Sequence, residues 1–203
     1  RIMVERNIDM DLSVAIAAAA KPFSSSTTEI CEQVLTYIIE RFKSGYRDEG
    51  ISPEVFASVA ALALSNPLEI NMRVQAVHQF TLLPEAAALA AANKRVSNIL
   101  AKQLGDKTPE PVRADLLQDA AEKTLATEID ALASLVTPLL EQRDYNAVLQ
   151  KLALLHDPVD QFFDQVMVMA EDSAVRDNRL ALLHSLRKLF IGVADISQLV
   201  PAK

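Results

Sequence analysis

The sequence predicts an all-α fold, and three observations support that prediction. Only four glycines occur in 203 residues, which leaves little material for the tight turns of β-hairpins. No long stretch of β-branched residues alternates with polar ones, whereas the helix-favouring residues Ala, Leu, Glu and Gln are frequent. Pro, Gly and short clusters of Ser, Thr, Asn and Asp recur along the chain and divide it into short helical segments.

The first helices follow from these breaks. Asp11–Ala20 is the first predicted helix. The break at Lys21–Thr28 supplies hydroxyl groups that can cap a second helix at Glu29–Lys43. This second helix is amphipathic, with one stripe formed by Ile30, Val34, Tyr37, Ile38, Arg41 and Phe42.

Proline marks the next two helix starts. Ser52 is a predicted cap with Pro53 at the first helical position, and a further helix begins at Asn66-Pro67. The stop at Thr81–Pro84 then predicts a boundary. The expected architecture is a smaller helical segment, residues 1–83, followed by a helical bundle, residues 84–203.

In the second half, the pattern predicts a helix at Pro84–Leu104 and another that starts with Asp157 as its cap and Pro158 at the first helical position. Apolar residues nearly encircle the segment 157–172, which predicts a buried central helix rather than a methionine-rich binding surface. We expect the core of the bundle to contain Phe162, Phe163, Val166, Leu183, Leu186 and Phe190.

Composition and charge are typical of a soluble cytosolic protein. The formal net charge is −7, and 50% of the residues are hydrophobic. The single cysteine, Cys31, cannot form an internal disulfide, which favours a reducing cytosol. The longest apolar run near the start, Val14–Ala20, is far shorter than the roughly 20 residues of a membrane span. Because the chain starts at Arg1 rather than Met, we expect a piece of a longer protein.

Two local basic segments interrupt the acidic balance. Asn93–Arg113 contains five basic and two acidic residues, and Arg176–Lys188 contains four basic residues and one acidic residue. Asp115–Asp172, between them, has a net charge of −9. A protein that binds a polyanion at one place and avoids it elsewhere needs such a pattern, although charged helix faces are more often simply solvated.

Helical geometry concentrates the first basic segment on one face of the helix at 84–104. At 100° per residue, Val96, Ile99, Leu100 and Gln103 lie on one side. The opposite side carries Lys94, Arg95, Asn98 and Lys102.

No catalytic centre emerges from the sequence. A metal-dependent phosphohydrolase site at His156-Asp157 needs further ligands, and neither His78 nor His184 has matching spacing. The sequence contains no Gly-rich loop and no nucleophile elbow. We therefore expect neither catalytic residues nor a metal or cofactor site in this chain.

Three stretches carry a family resemblance. They are LTYIIERFKSGYRDEGISPEVFASVAAL (Leu35–Leu62), AAANKRVSNILAKQ (Ala90–Gln103) and DPVDQFFDQVMVMAEDSAVRDNRLALLHSLRKLFIGVADIS (Asp157–Ser197). In this order they resemble the carboxy-terminal part of the beta subunit of bacterial glycyl-tRNA synthetase. The second and third also resemble the DALR-type anticodon-binding bundle of arginyl-tRNA synthetase, whose namesake tetrad is not present here as a contiguous run.

The resemblance implies an accessory role in attaching glycine to its tRNA. In that family, ATP is used by a separate alpha subunit, two copies of each chain assemble, and the tail of the beta subunit holds the anticodon arm. The implied partners are therefore tRNA(Gly) and the alpha subunit, without membrane or DNA, and the implied location is the cytoplasm. No cofactor is implied for this chain.

The two basic segments supply the candidate RNA contacts. Asn98 is a candidate base contact. Arg179 shares a stripe with Leu183 and Phe190, so the sequence leaves open whether it pairs with a buried acid or contacts RNA. The candidate phosphate ligands are Lys94, Arg95, Lys102, Arg176, Arg187 and Lys188.

Other functions remain open at this point. An arginyl-type synthetase tail is one alternative, although the run at 157–172 favours the glycyl family. A helical interaction scaffold with merely solvated basic segments is a second, and it predicts no affinity for tRNA at any salt concentration. A small all-α enzyme is a third, and it needs clustered catalytic groups.

Overall fold

The structure is a computed structural model that describes residues 2–23, 28–105 and 107–200. Within these ranges it is helical and contains no β-strand, which confirms the predicted all-α class. No helix in these ranges is long and apolar enough to cross a membrane. The α-helices are α1 (Ile2–Glu5), α2 (Leu12–Ala20), α3 (Thr28–Glu40), α4 (Phe42–Asp48), α5 (Pro53–Ala60), α6 (Pro67–Phe80), α7 (Ala86–Gln103), α8 (Ala120–Glu141), α9 (Tyr145–Leu152), α10 (His156–Gln165) and α11 (Ser173–Ile191).

Short polar side chains begin several helices. Asp11 caps α2 and Asn66 caps α6, each by accepting hydrogen bonds from backbone N–H groups of the first turn. Ser52 occupies the cap position of α5, but its side chain makes no capping hydrogen bond. Asp119 and Glu122 form a reciprocal capping box at the start of α8.

The N-terminal helices differ from the prediction. The single helix expected at Glu29–Lys43 is two helices, α3 and α4, which meet at Arg41. The hydroxyl caps predicted ahead of α3, at residues 24–27, lie outside the described residues. The described parts of α1, α2 and α3 contain no buried residue, and Tyr37 is 61% exposed. The hydrophobic core therefore begins in α4, at Tyr46.

The start of α10 corrects a second prediction. A 3-10 turn at Ala153–Leu155 leads into α10, which begins at His156 with Leu155 at the cap position. Asp157 therefore lies in the first turn of the helix rather than at its cap. The chain is already helical when it reaches Asp157-Pro158, so these residues continue a helix instead of starting one.

The end of α10 corrects a third prediction, that of a buried helix over residues 157–172. The helix stops at Gln165, and the next residues, Val166 and Val168, are 7% exposed, whereas Met167 and Met169 are 74% and 44% exposed. This alternation has the two-residue period of extended backbone. The predicted buried helix through residue 172 is therefore wrong, because an apolar run alone does not distinguish an encircled helix from an alternating strand-like segment.

The predicted bundle core is otherwise buried. Phe163 is half-buried. The other members are at most 7% exposed, namely Phe162, Val166, Leu183, Leu186 and Phe190.

Packing across residue 83 is extensive. Nη1 of Arg73 in α6 donates hydrogen bonds to the carbonyls of Gly192 and Val193, at 2.6 and 2.9 Å. The backbone N–H of Asp195 donates to the carbonyl of Ser58 in α5, at 2.9 Å. Helices α5 and α6 thus share one core with the later helices, and the division into residues 1–83 and 84–203 stays a prediction.

Candidate nucleic-acid interface

Helix α7 separates its apolar and cationic residues as predicted from helical geometry. Its inner side buries Val96 and Leu100 against the bundle. The outer side carries the candidate contact residues, with Arg95, Asn98 and Lys102 exposed and Lys94 half-buried. We call these four residues the α7 cationic face.

The cations of this face have no acidic partner in the part of the chain that the structure describes. No carboxylate of residues 2–23, 28–105 or 107–200 forms an ion pair with Lys94, Arg95 or Lys102. A phosphate can therefore approach these cations without competing with one of those carboxylates. Such an arrangement favours binding of a polyanion through release of counterions.

Arg95 has an aromatic neighbour. The central carbon of its guanidinium lies 4.2 Å from the ring centroid of Phe163 in α10. A cation at this distance above an aromatic face is attracted by the electrons of the ring. The contact joins α7 to α10 at the surface of the bundle.

The arginines of α11 have a different environment from the cations of α7, whereas Lys188 does not. Nε of Arg176 lies 3.4 Å from a carboxylate oxygen of its neighbour Asp177, and the Arg176 side chain is 33% exposed. Lys188 in the last turn is exposed and has no ion-pair partner among the described residues.

Arg179 is buried, and this corrects its place among the candidate RNA contacts. Its side chain is 6% exposed, and its Nε donates to Glu122. Its terminal nitrogens donate to Asp119 at 2.9 Å and to the carbonyl of Met167 at 2.7 Å. A guanidinium enclosed in this way is not available to a phosphate. The sequence leaves open whether Arg179 pairs with a buried acid or contacts RNA, and in the structure it pairs with a buried acid.

The carboxylate of Glu122 is fully buried beside Arg179. It also accepts hydrogen bonds from the backbone N–H groups of Gln118 and Asp119, at 2.7 and 2.9 Å. Burial alone raises the pKa of Glu122, but the hydrogen bonds from Arg179 and from these two N–H groups outweigh it, so the pKa lies below its ordinary value. Ionised Glu122 thus joins the start of α8 to α11.

Arg187 is tied to the end of the bundle. Its Nη2 donates to Asp195 at 2.9 Å, and the two side chains are 31% and 12% exposed. The other carboxylate oxygen of Asp195 accepts from the hydroxyl of Ser197 at 2.7 Å. The Nε of Arg187 is buried and has no hydrogen-bond partner among the described protein atoms. Arg187 is therefore paired with an acid, unlike Lys94, Arg95 and Lys102, which have no acidic partner among the described residues.

His156 pairs with two acids, at 2.8 Å from Asp157 and 3.3 Å from Asp160. A hydrogen bond with Asp157 raises the pKa of His156 against a smaller opposing effect of burial, and the charge of Asp160 adds to the rise. Burial lowers the pKa of His184, and the charges of Lys188 and Arg187 lower it further. Among the described residues, no group of three or more His, Cys, Asp or Glu side chains is arranged to hold a metal ion.

Two contacts near the interface have no clear signal in the sequence. The pattern places Phe163 in the core, but nothing local links it to Arg95. Asn178 accepts a hydrogen bond from the N–H of Arg113 at 2.7 Å and donates one to its carbonyl at 3.0 Å. This exchange holds the connection between α7 and α8 against α11. A polar residue beside the leucines of α11 is the single local hint of it.

Over the described residues, the chain is a helical bundle with a basic helix face that has no acidic partner, and these are features of helical domains that bind nucleic acid. The family model described as DALR anticodon binding domain matches residues 89–195, which is more than half of the chain, and the chain belongs to this family.

Curated relatives agree with that family. The chain is 51% identical over 203 residues to the glycine–tRNA ligase beta subunit of Marinobacter nauticus, and this match covers all of the chain. It is 50% identical over 201 residues to the subunit of the same name from Pseudomonas aeruginosa, and 48% identical over 201 residues to that of Aeromonas salmonicida. The chain spans 29% of the length of each of these relatives.

Proposed function

We propose that this chain is the tRNA-binding, anticodon-recognising part of a glycine–tRNA ligase beta subunit. The observation that carries the proposal is the α7 cationic face, which lies inside the matched region and has no acidic partner among the described residues. Similarity to named beta subunits over the full chain supports glycine as the amino acid. The face then holds the anticodon arm of tRNA(Gly).

The proposal extends to partners and chemistry. An alpha subunit binds ATP and glycine and forms the adenylate, two copies of each subunit assemble in the cytoplasm, and this chain contributes neither catalytic residues nor a cofactor site. The names of the relatives, which are those of beta subunits, support a separate partner subunit. Glycine-dependent release of pyrophosphate by this chain alone would contradict the proposed division of labour.

The proposed mechanism separates holding from reading. Glycine codons begin with two guanines, so the second and third anticodon letters are cytosines. Lys94, Arg95 and Lys102 provide cations for the loop phosphates. Asn98, exposed among them, is placed to contact a base edge. A cytosine amine is best met by an acceptor such as a carboxylate or a carbonyl oxygen.

Binding to a purified tRNA panel at two salt concentrations tests the proposal. We expect the full chain to prefer tRNA(Gly) over tRNA(Arg) and over an unrelated tRNA. Replacing Lys94, Arg95 and Lys102 with alanine together should flatten the slope of log affinity against log salt by roughly 2, because each phosphate contact on single-stranded RNA accounts for roughly 0.7. Preference for tRNA(Arg) would favour the arginyl-type alternative, and no affinity at either salt concentration would favour a scaffold.

A further inference from the structure

Arg95 differs from the two lysines of its face because its charged group already rests on a surface. Its guanidinium lies over the ring of Phe163 at 4.2 Å. The ring itself is held in place, since Phe163 makes an edge-on contact with Phe162 at a centroid distance of 5.5 Å and an interplanar angle of 78°. Phe162 is fully buried. The platform under Arg95 is therefore anchored in the core.

Arg73 provides an internal comparison. Its guanidinium also lies 4.2 Å from an aromatic centroid, that of Tyr145. Its N–H groups, however, are bonded to Glu69 and to the carbonyls of Gly192 and Val193, and its side chain is 11% exposed. That stack is a structural contact of the interior.

Arg95 lies over its ring at the same distance but without the same partners. The residue is exposed, and its N–H groups donate to no acceptor among the described residues. The guanidinium carbon lies over the Phe163 ring, which leaves the side of the guanidinium away from the ring and its N–H groups for a ligand. A planar group held flat in advance loses little conformational freedom when another planar group stacks on it.

The charges of α10 distinguish between a base and a phosphate at this place. The helix that carries Phe163 also exposes Asp157, Asp160 and Asp164. Asp157 and Asp160 pair with His156, and none of the three carboxylates pairs with Arg95. The negative charge on α10 nevertheless disfavours a phosphate beside Phe163 more than it disfavours an uncharged nucleobase. Unpaired loop bases are commonly stacked on aromatic rings and on guanidinium planes.

We propose that Arg95, stacked on Phe163, is a preformed shelf for one unpaired nucleobase of a single-stranded RNA loop. This inference rests on the proposed function and changes the role of Arg95 within it, from a phosphate ligand to a base-stacking residue. Lys94 and Lys102, which have no ring beneath them in the described ranges, remain phosphate ligands.

Arg95→Lys tests the shelf because it keeps the charge and removes the guanidinium plane. We expect the full chain with this substitution to bind a tRNA(Gly) transcript about tenfold more weakly, in line with the stacking of one base, with an unchanged salt slope. Lys102→Arg is the matched control, and its affinity should stay within about twofold of wild type. A phosphate ligand at position 95 predicts the opposite, namely that Arg95→Lys binds like wild type.

An abasic scan of the anticodon loop identifies the base. Transcripts that lack one loop base at a time keep every phosphate and remove one stacking partner. The shelf predicts one position whose loss weakens wild-type binding about tenfold and has little further effect on Arg95→Lys. Equal losses for wild type and Arg95→Lys at every position would overturn the proposal.

Substitutions of Phe163 test the proposed shelf independently of Arg95. Phe163→Tyr keeps the ring and should keep the affinity, whereas Phe163→Leu should lose about as much as Arg95→Lys, with thermal unfolding as the control for folding. Unchanged affinity of a folded Phe163→Leu variant would overturn the shelf.

If wild type binds tRNA(Gly) but none of these variants differs from it, the shelf alone fails. If wild type binds no tRNA, the proposed function fails and the shelf with it.

Discussion

The two basic segments have similar charge in the sequence and different environments in the structure. On α7, Lys94, Arg95 and Lys102 have no acidic partner among the described residues. On α11, by contrast, the arginines are engaged with acids, with Arg179 held by Glu122 and Arg187 by Asp195. A local excess of positive charge therefore does not by itself identify a surface that binds RNA.

The position of each helix in the bundle explains the difference. Helix α11 packs against α7, α8 and α9, and its residues 178–183 are all buried. A cation on such a helix is withdrawn from water and is stable only with an acidic partner. Helix α7 buries one side and exposes the other, so its outer cations remain solvated. A basic residue thus forms a buried ion pair on α11 and has no acidic partner among the described residues on α7.

Removing Arg179 should have the largest effect on stability. Arg179→Leu leaves the carboxylate of Glu122 buried without its cation, and we expect the free energy of unfolding to fall by about 3–5 kcal/mol. Urea denaturation measures this loss. Arg176→Leu, which breaks a partly exposed pair on the same helix, is the matched control and should cost at most about 1 kcal/mol.

The double variant sharpens this result. Combining Arg179→Leu with Glu122→Gln removes both charges and keeps a side-chain oxygen that can accept from the N–H groups of Gln118 and Asp119, so the loss should be smaller than that of Arg179→Leu alone. If Arg179→Leu lowered the free energy of unfolding by less than about 1 kcal/mol, the buried ion pair would not explain the difference between the cations of α11 and those of α7.

Acid should weaken the α11 network next. The pKa of Glu122 in the folded protein lies below its ordinary value of 4.5. The folded state therefore binds fewer protons than the unfolded state in this range, so the stability from Glu122 is fully present above pH 4.5 and is lost as the pH falls through the lower folded pKa. We expect a shallower decline below pH 4.5 for Glu122→Gln than for wild type. Parallel pH profiles would contradict this origin.

Much of the fold is predictable from local signals. Asn66 before Pro67 marks the start of α6, and the 3.6-residue period separates Val96 and Leu100 from the cations of α7. The segment after Gln165 is not predictable in this way. The backbone of Val166 is extended, and the carbonyl of Met167 accepts a hydrogen bond from buried Arg179. That contact depends on a distant helix.

The candidate site, too, is predictable from the sequence only where local spacing determines it. The outer face of α7 follows from spacing alone, because exposure on an outer helix needs only one apolar side. The ring of Phe163 beneath Arg95 depends on how α10 packs against α7, and the burial of Arg179 depends on the partners that α8 supplies. The sequence around a basic residue therefore does not show whether that residue has an acidic partner in the folded protein.

Arg187 should have an intermediate effect. Arg187→Met breaks the hydrogen bond to Asp195, but Asp195 keeps its bond from Ser197, and the buried Nε without a partner is removed as well. We expect a loss of about 1–2 kcal/mol in urea denaturation. The salt slope of tRNA binding should stay unchanged. A slope flattened by roughly 0.7 would instead return Arg187 to the phosphate ligands.

The smallest effect on stability is expected for the lysines of α7, and it distinguishes the two helices most directly. Lys94→Ala with Lys102→Ala removes two cations that hold no acidic partner among the described residues, so the free energy of unfolding should change by less than about 0.5 kcal/mol. The same variant should flatten the salt slope for tRNA(Gly) by roughly 1.4, twice the contribution of one phosphate contact. The matched control, Lys123→Ala with Lys151→Ala, removes two exposed lysines of α8 and α9 and should change neither quantity. Equal slopes for both variants would mean that the charge of α7 is only solvated, and the outer helix would then have no advantage over the central one in binding RNA.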